Sequence, residues 1–361
     1  MSLIPVSVMT GFLGAGKTTL LNRLMQRPEL ANAAVIINEF GEIGIDHLLV
    51  ARSDENVVEM ASGCLCCTIR SDLIETFDDL LAKRDAGTIK AFDRVVIETT
   101  GLADPAPILH TLMSDPKLFR RIALDGVVTM VDAVTGDATL DRHPEAVKQA
   151  AVADRIVLTK ADLAGDAISR RDVEKLKARL RALNPAAPIL TVERGAVDPA
   201  RLFDAGVYDP TTKHPDVLGW LQAEAYLDAH GHPHRGHDHH GHDRGPRRPG
   251  QNAHDVNRHD ARIRAYCIVR DQPISAQAFN LFVEILTANA CENLLRVQGI
   301  LNLAEAPGTP VIVHGVQHLF HPVEFLQAWP SEDHRSRLVF ITRDIPRDHI
   351  ERLLDGLNTA A

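Results

Sequence analysis

Gly11-Phe12-Leu13-Gly14-Ala15-Gly16-Lys17-Thr18 fits the pattern G-x-x-x-x-G-K-[ST], and its flanks decide what the pattern means. Upstream, Ile4–Met9 is a short apolar run that predicts a strand. Downstream, Thr19–Met25 predicts a helix with Leu20, Leu21 and Leu24 on one side. Strand, glycine loop and helix is the setting in which this pattern cradles phosphate, where elsewhere it would be a bare turn. The glycines Gly11, Gly14 and Gly16, with Ala15 between them, let the backbone wrap closely and turn several N–H groups inward. The helix N-terminus adds partial positive charge. Lys17 is expected to reach the β- and γ-phosphates, and the Thr18 hydroxyl to sit on Mg²⁺.

Outward from this loop, strands and helices alternate over the first two hundred residues. Further strands are predicted at Ala34–Asn38, Val57–Met60, Arg94–Glu98, Gly126–Val131, Arg155–Thr159 and Ile189–Val192. Most are continuous apolar runs, as expected where a parallel sheet is covered on both faces. Ser71–Lys83, Ala106–Ser114 and Ser169–Leu183 read as helices. The fold class is therefore α/β: a P-loop NTPase domain with a doubly wound, mostly parallel sheet, expected over 1–208. Ligands collect at the carboxyl ends of such strands.

The segment 209–260 breaks the pattern. Seven of the 13 residues from His230 to His242 are histidine, among Gly and Pro, with no periodicity. It reads as a flexible His-rich linker that cannot bury a core. Its neutral imidazoles could gather Zn²⁺, Co²⁺, Ni²⁺ or Cu²⁺ at modest affinity. The isolated His110, His314, His318 and His321 read as surface or core residues. Beyond the linker, strands at Arg262–Arg270, Leu294–Leu303, Pro310–His314 and Leu338–Thr342 alternate with helices at Ala276–Thr287 and Arg347–Leu354. They predict a second, smaller α+β C-terminal domain over 261–361.

Three further motifs carry chemistry. The run Val95-Val96-Ile97 closes on Glu98, then Thr99-Thr100-Gly101. The Glu98 carboxylate can hold Mg²⁺ through water or orient an attacking water, and Gly101 can bring its N–H to a γ-phosphate. Thr159-Lys160-Ala161-Asp162 also follows an apolar strand. A carboxylate at Asp162 can accept two hydrogen bonds from guanine, a donor pair that adenine lacks. The usual form of that motif begins with Asn, so Thr159 loses or alters an amide contact to the base. The other reading of Asp162 is a helix cap.

Gly63-Cys64-Leu65-Cys66-Cys67 places three thiols within four residues. They can converge on Zn²⁺ or Co²⁺, which suit thiolates as Mg²⁺ does not. An open three-thiolate site suits a metal that must leave again. The cysteines lie between Asn38-Glu39-Phe40-Gly41-Glu42 and the Glu98 motif. Glu42 or Glu39 could complete either the Mg²⁺ shell or the metal site.

Bulk properties exclude several classes. A net charge of −9 gives no basic signature for nucleic acid. No apolar run approaches the ~20 residues of a membrane span. The start MSLIPVSVMTG lacks a basic region and a cleavage site, so a cytoplasmic protein is expected. Five cysteines, three of them clustered, do not read as a disulfide framework.

Taken in order, GFLGAGKT, NEFGE, GCLCC, ETTGLADP and TKAD resemble the CobW-type metal-chaperone GTPases, relatives of HypB and UreG. Asn293–Leu303, Val311–Phe320 and Arg337–Thr342 look like that family's C-terminal domain, so the resemblance spans nearly the whole chain. Glu98–Ile108 and Leu124–Val134 look most like its YjiA branch. The resemblance implies a slow GTPase in which nucleotide state controls metal affinity or delivery to a client protein or cofactor pathway. It implies that Gly14 to Thr19 hold phosphate, Thr18 magnesium, Lys160 and Asp162 guanine, and Cys64, Cys66 and Cys67 the transferred metal. A nucleotide-dependent homodimer is a further expectation, since related GTPases often dimerise. Two departures matter. Some relatives carry an acidic residue before the Asn-Glu-Phe-Gly segment, where this chain has Ile37. There is also no acidic-Pro-Leu-Val docking segment before the first strand, which argues against methionine aminopeptidase as client. Two competing readings are a passive zinc buffer with a vestigial nucleotide site and a small-molecule phosphotransferase. Intact Lys17, Thr18 and Glu98 argue against the first, and the absence of a recognisable acceptor pocket or basic lid against the second.

Overall fold

The computed structural model describes residues 3–38, 57–59, 67–163, 169–192, 197–203, 262–290, 293–320 and 323–360. The apolar runs of the first half lie side by side as β1 (Ile4–Gly11), β2 (Ala33–Asn38), β3 (Val57–Glu59), β4 (Arg94–Thr99), β5 (Ile122–Asp132), β6 (Arg155–Thr159) and β7 (Ile189–Thr191). Their order is β3-β2-β4-β1-β5-β6-β7, and every pairing is parallel. Between them run α1 (Lys17–Met25), α2 (Cys67–Asp85), α3 (Ala106–Ser114), α4 (Gly136–Arg142), α5 (Pro144–Ala151), α6 (Arg170–Leu183) and α7 (Pro199–Leu202).

Alternate residues of each strand serve opposite faces. Val6, Val8, Ile36, Val95 and Ile97 pack with Leu73, Phe77 and Leu80 of α2 and Ile108, Leu109 and Leu112 of α3. Met9, Val35, Ile37, Val96 and Val128 pack with Leu20, Leu21 and Leu24 of α1. Both faces are dry, so the strands read as unbroken apolar runs. The chain travels from β1 to one side for β2 and β4, then crosses to β5. That reversal opens a crevice at the carboxyl end of β1, where the glycine loop begins.

Several boundaries moved. β5 starts at Ile122, four residues before the predicted Gly126, because charged Asp125 interrupts the apolar run. Asp125 sits where the register between β1 and β5 shifts, and it is buried. Its carboxylate accepts from Arg94 and from the Ser7 hydroxyl, both at 2.7 Å. α2 begins at Cys67, a turn before the predicted Ser71. α4 and α5 were not foreseen, since Pro144 divides a stretch too short to show a period.

The second domain is one antiparallel sheet with two helices. Its elements are β8 (Ile263–Arg270), α8 (Ala276–Ala290), β9 (Leu294–Asn302), β10 (Pro310–Val316), β11 (Leu319–Phe320), β12 (Glu324–Phe325), β13 (Ser336–Arg343) and α9 (Arg347–Ala360). The strand order is β11-β10-β9-β13-β8, with β12 on β10. One face holds Phe279, Phe282 and Leu286 of α8 and Ile350 and Leu354 of α9 against Val297, Val313, Leu338 and Phe340. On the other face Leu295 and Ile341 pack with Ala150 of α5 and Leu180 and Leu183 of α6. The C-terminal sheet therefore lies between its own helices and the first domain. A buried ion pair ties the two, Arg296 of β9 donating to the Asp154 carboxylate and to the Val152 carbonyl. The His-rich stretch falls outside the described residues.

Candidate functional site

Between β1 and α1 the chain must turn sharply, and Gly16 does so at φ 86°, a left-handed value that favours glycine. This places Lys17 and Thr18 in the first turn of α1. Lys17 is buried, and its Nζ donates to the carbonyl oxygens of Gly11 at 2.9 Å and Phe12 at 3.3 Å. The Thr18 hydroxyl donates to Glu98 Oε1 at 2.7 Å. Glu98, the penultimate residue of β4, lies opposite Met9 of β1 and is only 5% exposed. Thus two residues from separate motifs meet. A hydroxyl and a carboxylate oxygen are the hard donors Mg²⁺ prefers, so this pair fits that ion.

Gly101 follows on the loop after β4. A Cβ there would lie 2.6 Å from the Leu13 backbone nitrogen and 2.8 Å from its Cα. Only glycine lets this loop lie so close against the glycine-rich one.

The second part of the site is a cleft of about 430 Å³ lined by Gly16, Thr19, Leu20, Arg23, Thr159, Lys160, Asp162, Leu163 and Val192. It collects the predicted base-binding residues. Their contacts within the protein differ from one another. The Thr159 hydroxyl donates inward, to Ala15 O at 2.8 Å, with Val131 O at 3.3 Å. It therefore braces the glycine loop from β6. Lys160 has a left-handed φ of 56°, which turns its side chain back over that loop. Its Nζ donates to Gly14 O at 2.8 Å and Asp132 Oδ2 at 2.7 Å. Asp162 is exposed on the wall of the cleft.

Asp132, which closes β5, escaped the sequence reading. Its signal was the one used for Glu98, an acidic residue ending an apolar strand. Gln149 of α5 escaped too, and a lone glutamine on a helix carries no signal.

Of the metal-loop residues, Cys64, Cys66, Glu39 and Glu42 lie outside the described residues. Cys67 is the first residue of α2. Ile37 is buried in β2, in register with Glu98. Among the described residues no three His, Cys, Asp or Glu side chains are grouped to hold a metal, and no helix is long and apolar enough to cross a membrane.

Comparison with known proteins agrees with this layout. Residues 5–191 match the model of the CobW/HypB/UreG nucleotide-binding domain, and 263–358 that of the cobalamin synthesis protein cobW C-terminal domain. The chain is 33% identical to the zinc chaperone YjiA of Escherichia coli over 99% of both chains. It is 34% identical to the zinc chaperone CobW of Pseudomonas aeruginosa over 64% of this chain and 63% of that one. The zinc-regulated GTPase metalloprotein activator 1 of Saccharomyces cerevisiae is 32% identical over 60% of this chain and 54% of its own. The crystal structure of Zn(II)-bound YjiA GTPase from E. coli superposes with a TM-score of 0.67 at 30% identity, covering 99% of each chain. With both its domains matched, and a relative alike from end to end, the chain belongs to the CobW/HypB/UreG family.

Proposed function

We propose that this protein is a GTP-hydrolysing metallochaperone. It binds Zn²⁺ or Co²⁺ through Cys64, Cys66 and Cys67 and passes it to a client protein or cofactor pathway as its nucleotide changes. The observation that carries the reading is the 2.7 Å contact of Thr18 with Glu98, next to Lys17 at the mouth of the glycine loop. Lys17 serves the β- and γ-phosphates, and the α1 N-terminus adds its dipole. Thr18 and Glu98 hold Mg²⁺, which when bound neutralises charge on the phosphates. Glu98 or Glu42 orients the attacking water, and the Gly101 N–H reads the γ-phosphate. Thr159 and Lys160 shape the base cleft, and Asp162 selects guanine. Relatives named as zinc chaperones and zinc-regulated GTPases support the metal half, as does the softness of the thiolate triad. Leu13 and Leu102, 59% and 55% exposed, put apolar surface beside the phosphate loop, suited to a second protein or a second copy.

Nucleotide and metal are linked in this reading. Binding of GTP gathers residues 38–42 and 98–101, tightens the thiolate site, and hydrolysis loosens it. A 100-fold change in metal affinity needs only ~2.7 kcal/mol of coupling, and by reciprocity the metal tightens GTP equally. The test is Zn²⁺ and Co²⁺ affinity with a non-hydrolysable GTP analogue and with GDP. Equal affinities reject the coupling. In parallel, Lys17→Ala should abolish release of free phosphate from GTP, and undiminished release would reject the nucleotide site.

A further inference from the structure

The loop bearing Gly101 is gripped from two sides. Inside its own domain, fully buried Gln149 donates from Nε2 to the carbonyl oxygens of Gly101 at 3.2 Å and Ala103 at 3.0 Å. Its Oε1 meets no hydrogen-bond donor among the described residues. A buried acceptor without a donor is disfavoured. An N–H of the loop turned toward Oε1 would satisfy it, so the same side chain could hold a shifted loop.

Asp104 is three positions beyond Gly101 and stands at the seam of the two domains. Its Oδ1 accepts from Ala106 N at 3.0 Å, at the start of α3. Its Oδ2 accepts from Lys148 Nζ and from Gln317 Nε2, both at 3.1 Å. Gln317 belongs to the C-terminal domain, in the short turn between β10 and β11, with a left-handed φ of 54°. Next to it, Val316 packs in one apolar cluster with Leu109 and Leu112 of α3. Three residues reach at most about 10–11 Å, so the position of Asp104 limits where Gly101 can lie. Other ties between the domains lie elsewhere: Arg296 with Asp154 at the amino end of β6, and Leu295 and Ile341 with α5 and α6. The contact at Gln317 can therefore open while the domains stay joined.

We propose that Gln317 is a positioning residue for the nucleotide site. Through Asp104 the C-terminal domain holds the Gly101 loop against the glycine-rich loop, the position from which a γ-phosphate is read. The seating of that domain and the preference for GTP over GDP are then one linked equilibrium. The inference rests on the GTP reading of the site given above.

The test uses the full chain and four proteins: wild type, Gln317→Met, Gln317→Glu and Gln317→Lys. Methionine keeps length and loses the donor. Glutamate sets a like charge against Asp104, and lysine restores a donor. Affinities for a non-hydrolysable GTP analogue and for GDP are measured separately, with kcat and KM for hydrolysis and the melting temperature. Binding of the GTP analogue should weaken about 5-fold or more in the Met and Glu variants, within the usual range for linked sites, with GDP affinity and melting unchanged. The Lys variant should return toward wild type. Equal weakening of both nucleotides, no weakening of either, or failure of lysine to rescue would overturn the proposal. If the wild type itself binds no GTP, the nucleotide reading fails and takes the inference with it. That outcome is distinct from one in which wild type and variants bind GTP alike.

Discussion

Thr159 has one hydroxyl proton, and it is committed to the Ala15 carbonyl. No donor remains on that side chain for the base, so in the proposed reading discrimination falls on Asp162. Asp162→Asn should weaken GTP binding by about 10- to 100-fold, ~1.4–2.7 kcal/mol, and leave weak ATP binding unchanged. Competition binding against both nucleotides checks this. Gly101 is equally constrained, because a methyl there would strike the backbone of Leu13. Gly101→Ala should lower kcat for GTP by about 10-fold or more while GDP binding, which needs only the glycine loop and the base cleft, survives. Single-turnover kinetics beside GDP titration separates the two. Cys267 is a residue of another kind. Burial pushes its thiol up to about 11 and keeps it out of reach. At pH 8 it should resist alkylation until the protein is denatured, whereas thiols of a metal loop should react unless metal protects them. Peptide mapping of the labelled native protein reads this directly.

Among the elements, α6 was the most legible. The sequence predicted a helix over Ser169–Leu183, and Ser169-x-x-Asp172 is a capping pattern. Ser169 is its N-cap, accepting from Asp172 N at 3.2 Å, while the Asp172 carboxylate accepts from Ser169 N at 3.3 Å. Ser169→Ala should cost about 1 kcal/mol and lower the melting temperature by roughly 2–4 °C. α2 was less legible at its start. Cysteine, threonine and isoleucine are indifferent helix formers, and nothing local marks Cys67 as helical. There the packing of Leu73, Phe77 and Leu80 on the sheet outweighs propensity. β5 was truncated in the reading because a charge inside a strand looks like its end. Arg94 and Ser7, from two neighbouring strands, make that charge tolerable.

At the scale of the whole molecule, a buried ion pair joins the domains. The side chains of Arg296 and Asp154 are 3% and 4% exposed. Burial pushes the Asp154 carboxyl up, against the pull of Arg296 and the Val127 amide that hold it ionised. Asp154→Ala would leave a buried guanidinium without its counter-charge. The expected loss is about 3–5 kcal/mol, read as a lower denaturant midpoint. Exposed pairs such as Arg352 with Asp348 should change stability by less than about 1 kcal/mol when broken.

Local order was written plainly in the sequence. The glycine loop, the strand before it, the helix after it and the cap of α6 each depend on residues within a few positions of one another. Their chemistry is fixed by backbone geometry and by which side chains recur at what period. The partnerships that make a site were decided by tertiary structure alone. Thr18 meets Glu98 across 80 positions, and Lys160 meets Asp132 across 28, because β4 and β6 are placed where they are in the strand order. Asp104 meets Gln317 across 213 positions because the second sheet docks on α3, α5 and α6. Periodicity reports which face of a strand is dry, but not which strand lies beside it. That choice is made by how whole faces bury against each other.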